Sequence, residues 1–282
     1  MHMMICLACI ASLGATAARA APCDRLSAGQ RKLAHTLFKA THPYDCCDDT
    51  LDRCLKQFKV CKLAKRLRDE ICRRLIKGHS DKQIRGALDR RARSMTVAIK
   101  NASFDLSTAP LAGDRAAKVT VVAYACARCP FCSKVLPDLH RLVESSGLKG
   151  KVKLYFRPFP IRDHPGSLEG GLAFVAAARL GAPWPYLLKL YAEYDSFSVD
   201  KLAPWAARVG IKEQAFKSEL KSAAARKDLV ESKKEGLRNG VTATPTLFIN
   251  GRKYLGDMDH ESLLDVLDEE SDRVSRRQFC DR

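Results

Sequence analysis

The 282-residue chain is poor in aromatic residues and has no long apolar run after its first twenty residues. Aromatic side chains make up 7% of it, and two of them are Trp. A bilayer-spanning helix needs about 20 apolar residues in a row, so the sequence after residue 20 excludes a membrane bundle. There is no internal repeat, which excludes a solenoid. Apolar residues at 46% and charged residues at 29% are typical of a globular protein rather than a disordered one.

An apolar stretch over residues 5–18 leads into Ala18-Arg19-Ala20, a small-x-small pattern at which a secretory signal is cleaved. The alternative is a membrane anchor, but the stretch is shorter than the ~20 residues that a membrane span needs. We therefore predict that residues 1–20 are a signal peptide and that the mature chain is exported.

Twelve cysteines are far more than a cytosolic enzyme usually carries, and they indicate an oxidising compartment or metal binding. Removal of the signal takes Cys6 and Cys9 and leaves ten. Six of these lie in residues 22–95: Cys23, Cys46, Cys47, Cys54, Cys61 and Cys72. In a small exported helical region we interpret them as disulfide staples. Zinc or cuprous copper held by thiolates is the alternative, and the spacing leaves the pairing open.

Residues 22–95 are predicted to form a small cysteine-rich helical domain. Four apolar residues recur at a spacing of four and predict a core-facing stripe: Leu63, Leu67, Ile71 and Leu75. Gly78 ends that helix, and Ser80 with Gln83 predicts a capping box for the next one. An earlier helix is predicted over residues 26–38. The region holds 19 basic and 9 acidic residues. We interpret its cations as the solvated side of a helix: Lys62, Lys65, Arg66, Arg73 and Arg74.

The whole chain has 49 Lys and Arg against 32 Asp and Glu, a net charge of +17. Such a charge admits nucleic acid, acidic substrates or an anionic membrane surface as partners. Because the chain is predicted to be exported and lacks a patch of interleaved aromatic and basic residues, we expect no nucleic-acid partner.

Residues 96–282 change to an α/β pattern. Apolar and β-branched runs predict strands at 96–99, 119–124, 152–156, 246–249 and 253–255. Residues 166–240 are predicted to be almost entirely helical, and a closing helix is predicted over 259–267. Asn250-Gly251, between the last two strands, is the strongest two-residue hairpin signal. The order of strands and helices predicts an α/β domain with a helical insertion.

The sharpest chemical signal is Cys129-Pro130-Phe131-Cys132, at the transition from a buried strand to a helix. The positive end of a helix stabilises a thiolate, which is the species that reacts in disulfide exchange. We therefore predict that Cys129 is the nucleophile, ionised near neutrality and open to solvent, and that Cys132 resolves the mixed disulfide. Three alternatives are a structural disulfide, half of a zinc site and chance, but outside residues 126–132 the mature chain has no Cys-x-x-Cys to complete a zinc site.

Thr244-Pro245 stands directly before the predicted strand 246–249. Proline is common at the first residue of a strand, where it has no special function. Near a Cys-x-x-Cys helix, a cis proline would instead bring its neighbouring backbone up to the dithiol. The backbone groups of Thr244 could then pair with an incoming peptide as an added strand.

With these motifs and the helical insertion, residues 96–270 resemble the DsbA family of thioredoxin-fold oxidoreductases. The resemblance implies a periplasmic thiol–disulfide oxidoreductase without a cofactor or metal, in which Cys129 attacks and Pro245 is cis. It also implies that Thr244, Pro245, Pro130 and Phe131 contact substrate. Thr before the proline is more similar to the isomerases DsbC and DsbG. Cys126, three residues before the nucleophile, departs from the family, and its pairing stays open.

The loop at Phe159-Pro160-Ile161 and His164-Pro165 is also similar to a stretch common in this family. A substrate-facing loop is one interpretation, and for His164 itself we prefer a simple turn. More weakly, residues 44–95 resemble the three-helix domain of CcmH, a thiol reductant of cytochrome c maturation. That family carries Cys-x-x-Cys where this chain has Cys46-Cys47, which argues against redox activity there.

The predicted function is thus that of an exported thiol–disulfide oxidoreductase, with exported cysteine-containing proteins as substrates and a membrane redox partner. Forming, isomerising and reducing disulfides are all compatible with the motif. An isomerase needs a second substrate-binding surface, which residues 22–95 could supply by forming a homo-oligomer. The alternatives are a reductant for cytochrome c maturation, a copper- or zinc-binding protein, and a structural module with an inert dithiol.

Overall fold

The computed structural model describes residues 21–96 and 101–280, with side chains for all of these except 276–280. The predicted signal at residues 1–20 therefore lies outside the described residues, as does the side chain of Cys280. Among these residues, four α-helices come first, followed by a sheet interrupted by six more α-helices, and a long helix comes last.

The five strands form one sheet in the order β1-β3-β2-β4-β5. Their bounds are β1 Leu111–Gly113, β2 Val119–Ala125, β3 Val152–Pro158, β4 Thr246–Ile249 and β5 Arg252–Lys253. β2 and β3 are parallel, with Val121 beside Leu154, and the other neighbouring strands are antiparallel. Parallel neighbours need a crossover, which helix α5 (Cys132–Ser145) provides. The predicted buried strand is therefore the centre of the sheet.

Apolar cores cover both faces of β2. Val121 belongs to the larger core, shared with α5 and the closing helix, whereas Tyr124 belongs to a second core with Phe159. Gly236 lies directly against this second core. A Cβ atom at position 236 would stand 2.7 Å from the Phe159 ring, so the missing side chain allows its helix to approach the sheet.

The segment between β3 and β4 is helical, as predicted. It contains α6 Ser167–Arg179, α7 Pro183–Ala192, α8 Leu202–Arg208, α9 Glu213–Leu220 and α10 Ala223–Arg238. After it, Asn250 and Gly251 join β4 to β5 with φ angles of 47° and 81°, the left-handed geometry of a two-residue hairpin. The predicted hairpin, helical insertion and α/β class are confirmed.

The N-terminal region consists of α1 Ala28–Ala40, α2 Leu51–Cys54, α3 Lys62–Ile76 and α4 Asp81–Thr96. The predicted stripe on α3 is confirmed, since all four of its apolar residues are buried. Gly78 follows α3 with φ +79°. The Ser80 N–H donates to Gln83 Oε1 at 2.8 Å and the Gln83 N–H to Ser80 Oγ at 3.4 Å, which confirms the capping box.

Three disulfides staple these helices, as predicted from the cysteine count. They join Cys23 to Cys72, Cys46 to Cys61 and Cys47 to Cys54. All six sulfurs of the region are therefore bonded to one another, and none is a thiolate that could bind zinc or copper. Among the described residues, no group of three His, Cys, Asp or Glu side chains is arranged to hold a metal ion.

The interpretation of five α3 cations as a solvated face is wrong for Arg66, Arg73 and Arg74. Arg66 contacts Asp268 and Asp272 at 2.6 and 2.8 Å, and Arg74 contacts Asp257 at 2.7 Å. Arg73 pairs with Asp265, which lies on the closing helix together with Asp268 and Asp272. That helix, α11 (His260–Cys280), presents a row of acids to α3. The sequence pattern of α3 alone could not reveal this partner, and Lys62 and Lys65 are exposed as predicted.

Other boundaries differ from the predictions. Thr96 ends α4 instead of starting a strand, and residues 97–99 lie outside the described residues. β1, an edge strand of three residues, was not predicted, because so short a run carries no periodicity. α11 runs well past residue 267, and its continuation packs against the N-terminal helices. Within residues 21–96 and 101–280, no helix has the length and apolar character to cross a bilayer.

Candidate active site

Cys129 and Cys132 lie where β2 turns into α5. β2 ends at Ala125, and a tight turn closed by the Cys129 N–H and the Cys126 carbonyl, 3.3 Å apart, leads to the dithiol. The Cys129 carbonyl accepts the N–H of Ser133 at 3.1 Å, so the first turn of the helix reaches back to Cys129. The predicted placement at a strand-to-helix transition is therefore found.

The two thiols differ strongly in acidity. A hydrogen bond from the Cys132 side chain lowers the pKa of Cys129 to about 5, against the opposing effect of burial. The N–H groups of Cys132 and Phe131 at the start of α5 lower this pKa further. Burial raises the pKa of Cys132 far above the usual thiol range. Near neutrality the pair thus holds one proton, which resides on Cys132.

The Thr244–Pro245 peptide bond is cis, as the resemblance implies. Both residues are half-buried. The Thr244 carbonyl oxygen lies 3.2 Å from the Cys129 sulfur and accepts a hydrogen bond from it when Cys129 is protonated. The Thr244 hydroxyl oxygen is buried, and its proximity to the dithiol lowers the pKa of Cys129 further. The structure therefore brings four of the predicted site residues together: Cys129, Cys132, Thr244 and Pro245.

The expectation that the Cys129 thiol is open to solvent is wrong for this conformation. Cys129 retains 1% of its accessible surface, because the Thr244 segment covers its sulfur. Its neighbours are exposed: Pro130 lies at the surface, and Phe131 is 69% exposed, the second most exposed of the large apolar side chains described. The nucleophile is therefore buried in this conformation, directly beside an exposed apolar surface.

Arg128 fixes the turn before Cys129 to the helical insertion. Its guanidinium lies 4.4 Å from the ring centroids of both Tyr194 and Phe197. In return, the Tyr194 hydroxyl donates to the Arg128 carbonyl at 3.3 Å. None of these three residues is predicted from the sequence. A signal was present, because an arginine directly before the nucleophile and aromatic residues at a spacing of three are visible in the sequence.

Cys126 is a third thiol at this site. It is 1% exposed and unpaired, and its sulfur lies 3.4 Å from His164 Nδ1 and 3.4 Å from Ser167 Oγ. The backbone N–H of His164 donates to the Ile161 carbonyl at 3.2 Å, which agrees with the preferred interpretation of this residue as part of a turn. That interpretation is incomplete, because the imidazole also contacts the site.

Comparison with known proteins supports this description. A family model described as thioredoxin matches residues 105–269, more than half of the chain. The structure is similar to oxidised BdbD from Bacillus subtilis, with a TM-score of 0.55, 20% identity and coverage of 61% of this chain and 97% of that one. It is also similar to alpha-DsbA2 from Wolbachia pipientis, described as a thiol-disulfide exchange protein, with a TM-score of 0.52, 22% identity and coverage of 69% and 97%. These likenesses confirm the thioredoxin fold.

The chain is also similar to part of much longer curated proteins. It is 30% identical over 152 residues to the Na(+)/H(+) antiporter NhaA 3 of Salinispora tropica, which is 54% of this chain and 23% of the antiporter. The antiporter NhaA of Herminiimonas arsenicoxydans is 28% identical over 166 residues, with coverage of 59% and 26%. The chain thus spans about a quarter of the length of these relatives.

Proposed function

The chain belongs to the thioredoxin family, and we propose that it is an exported thiol–disulfide oxidoreductase that donates disulfides to exported proteins through Cys129 and Cys132. The observation that carries this proposal is the acidified Cys129 thiol at the start of α5, beside the Thr244 carbonyl. A group of this kind serves disulfide exchange, in which a thiolate attacks a disulfide or leaves from one.

Disulfide donation needs two exchange steps. A substrate thiolate attacks Cys129 in the Cys129–Cys132 disulfide, and Cys132 leaves with the bonding electron pair and takes a proton. A second substrate thiolate then attacks the substrate sulfur bonded to Cys129. The substrate disulfide forms, and Cys129 leaves as a thiolate. The substrate loses two electrons and the dithiol gains them, so the site needs no cofactor.

The acidity of Cys129 favours this direction. The lower the pKa of a leaving thiol, the faster it leaves, and Cys129 has a pKa of about 5. Stabilising its thiolate also stabilises the reduced protein, which makes the disulfide form a stronger oxidant. A reductant for cytochrome c maturation needs the opposite, a disulfide form that is more stable than the reduced form. In addition, the cysteines in the region that resembles CcmH are already bonded in disulfides.

The surface around the dithiol supports a peptide substrate. Phe131 and Pro130 offer an exposed apolar contact directly after the nucleophile. The half-buried Thr244 and Pro245 lie at the other side of the Cys129 sulfur. An extended peptide could pair with the Thr244 backbone while its cysteine approaches Cys129, since added strands gain affinity from main-chain hydrogen bonds.

Three further parts of the proposal concern the cellular setting. The predicted signal at residues 1–20 and the three disulfides favour the periplasm, where structural disulfides persist. A disulfide donor must be reoxidised after each cycle, which calls for a membrane redox partner. We expect exported cysteine-containing proteins as substrates, and rapid acid quenching of cells that express Cys132→Ala should capture their mixed disulfides with Cys129.

The test is disulfide transfer to a reduced, unfolded protein such as ribonuclease. The oxidised protein should oxidise it, and Cys129→Ser should abolish transfer. Val199→Ala, which changes an exposed apolar residue, is the control and should retain full transfer. If Cys129→Ser transfers disulfides as well as the parent protein does, the dithiol is inert and the proposal fails.

Isomerisation is a second candidate, favoured by Thr244 before the cis proline and by the additional N-terminal region. It requires a second substrate surface, which a homo-oligomer formed through residues 22–95 would supply. Light scattering and refolding of scrambled ribonuclease decide between the two. If the protein is a monomer and refolds scrambled ribonuclease no faster than glutathione alone does, isomerisation is rejected and disulfide donation remains.

A further inference from the structure

Cys126 repeats, on the other side of Cys129, the spacing of the dithiol. Its carbonyl accepts the Cys129 N–H at 3.3 Å and so closes a four-residue turn. Turns of this kind bring their first and fourth Cα atoms within about 7 Å, and disulfide-linked Cα atoms lie about 4.4–6.8 Å apart. The backbone therefore places Cys126 at disulfide spacing from the nucleophile.

The surroundings of Cys126 supply what a buried thiol needs in order to react. His164 Nδ1, 3.4 Å from the sulfur, can take its proton in the tautomer that leaves this nitrogen free. The backbone N–H of Arg128 donates to the same sulfur at 3.4 Å and can stabilise the resulting thiolate. Ser167, whose hydroxyl contacts the sulfur, is held in turn by the Ile161 N–H at 2.8 Å.

The three thiols also share a neighbour. Tyr191 is buried, and its hydroxyl donates to the Cys126 carbonyl at 3.2 Å. Burial, followed by the proximity of Cys132, Cys126 and Cys129, raises the pKa of this phenol. All three cysteines thus lie near one buried side chain, and Cys126 is part of the same cluster as the dithiol.

We propose that Cys126 is a second resolving thiol, which attacks Cys129 when a mixed disulfide with a substrate stalls. This inference rests on the proposed function, because it requires a mixed disulfide at Cys129. His164 takes the Cys126 proton, and the Cys126 thiolate attacks the Cys129 sulfur. The Cys126–Cys129 bond forms, the bond from Cys129 to the substrate sulfur breaks, and the substrate thiolate takes the electron pair and a proton. One disulfide and one thiol stand on each side of the exchange.

A second exchange within the same cluster regenerates the Cys129–Cys132 disulfide. Cys132 can next attack the Cys129 sulfur, which forms the Cys129–Cys132 disulfide and returns Cys126 to the thiol. The second route matters because burial keeps Cys132 protonated and so slows its direct attack. A Cys132→Ala variant used to trap substrates would then leak, and Cys126→Ala together with Cys132→Ala would hold them.

The test follows the fate of a glutathione adduct on the full chain. Reduced wild type, Cys132→Ala and the double variant Cys126→Ala/Cys132→Ala are treated with glutathione disulfide, quenched in acid and mapped by mass spectrometry. We expect a Cys129–Cys132 link in the wild type and a Cys126–Cys129 link in Cys132→Ala. In the double variant the adduct at Cys129 should persist at least about tenfold longer.

Each other outcome is decisive. If Cys132→Ala keeps its adduct as long as the double variant, Cys126 does not resolve, while a normal wild-type link leaves the proposed function intact. If the wild type forms no link at Cys129, the proposed function fails and this inference with it. If Cys126→Ala folds poorly, the double variant His164→Gln/Cys132→Ala replaces it in the same measurement. It should slow release of the adduct without slowing its formation, whereas the exposed His260→Gln should change neither.

Discussion

The guanidinium of Arg91 on α4 contacts the carboxylate of Glu269 on α11 at 2.6 Å, and each side chain is 3% exposed. The same guanidinium contacts Glu70 at 2.6 Å and Asp265 at 2.7 Å. One buried cation thus joins two N-terminal helices to the helix that closes the chain. Burial disfavours the charge, but the surrounding Tyr44 and carboxylates hold the pKa of Arg91 well above its usual value.

Removing the Arg91 charge should destabilise the protein strongly. Arg91→Met leaves Glu269 and Glu70 buried without this cation, and a broken buried pair costs about 3–5 kcal/mol. Urea unfolding measures the loss. Arg93→Met, which removes an exposed arginine from the same helix, is the matched control and should cost less than about 1 kcal/mol. Equal costs for the two variants would contradict a central role for Arg91.

The thiolate of Cys129 should make reactivity and stability depend on pH. Alkylation of the reduced protein by iodoacetamide should rise with a midpoint near pH 5, the pKa of Cys129. Because this pKa is lower in the folded protein than the ~8.5 of an unfolded thiol, the thiolate stabilises the reduced fold. That contribution is complete above about pH 8.5 and is lost as the pH falls through 5.

Unfolding of the reduced protein at several pH values measures this contribution, and Cys129→Ser serves as the reference. The difference in unfolding free energy between the two proteins should shrink as the pH falls from 8.5 to 5. A difference independent of pH over that range would show that Cys129 is not acidified.

Phe131 should contribute to substrate affinity rather than to the chemical step. Covering half or more of this exposed ring would contribute on the order of 1 kcal/mol, so Phe131→Ala should raise the KM for a cysteine-containing peptide roughly fivefold. The Cys129 alkylation midpoint should stay unchanged. Leu237→Ala, at a 56% exposed apolar residue, is the control, and an equal effect there would rule out a specific contact at Phe131.

The three disulfides should differ in their contribution to stability according to the length of chain they close. Cys23–Cys72 spans 49 residues and Cys47–Cys54 spans 7. Loop-closure entropy gives about 4 kcal/mol for the first and about 2.5 kcal/mol for the second. Paired Cys-to-Ser variants, compared by urea unfolding, should show this order. The reverse order would mean that contacts specific to the short loop outweigh chain entropy.

Much of the fold could be predicted because local chemistry determines it. The capping box at Ser80, the hairpin at Asn250 and the stripe on α3 depend on residues close together in sequence. The dithiol could be located for the same reason, since its strand, turn and helix are consecutive.

What could not be predicted depends on distant partners. Arg66 is a surface cation by its own pattern, and only the acids of α11, some 200 residues later, make it an interior one. Likewise, the contact between Cys126 and His164 joins residues 38 apart, and the cover over Cys129 comes from Thr244. The residues that define access to the sulfur are therefore visible in three dimensions and not along the chain.

The charge arrangement on α11 has a consequence for dissection of the protein. Asp265 and Glu269 are matched by arginines that come from residues 22–95. A fragment beginning after α4 would leave Asp265 without Arg66, Arg73 and Arg91, whereas Glu269 would keep Arg273 of its own helix. We therefore expect the catalytic part of the chain to lose stability when it is separated from residues 22–95.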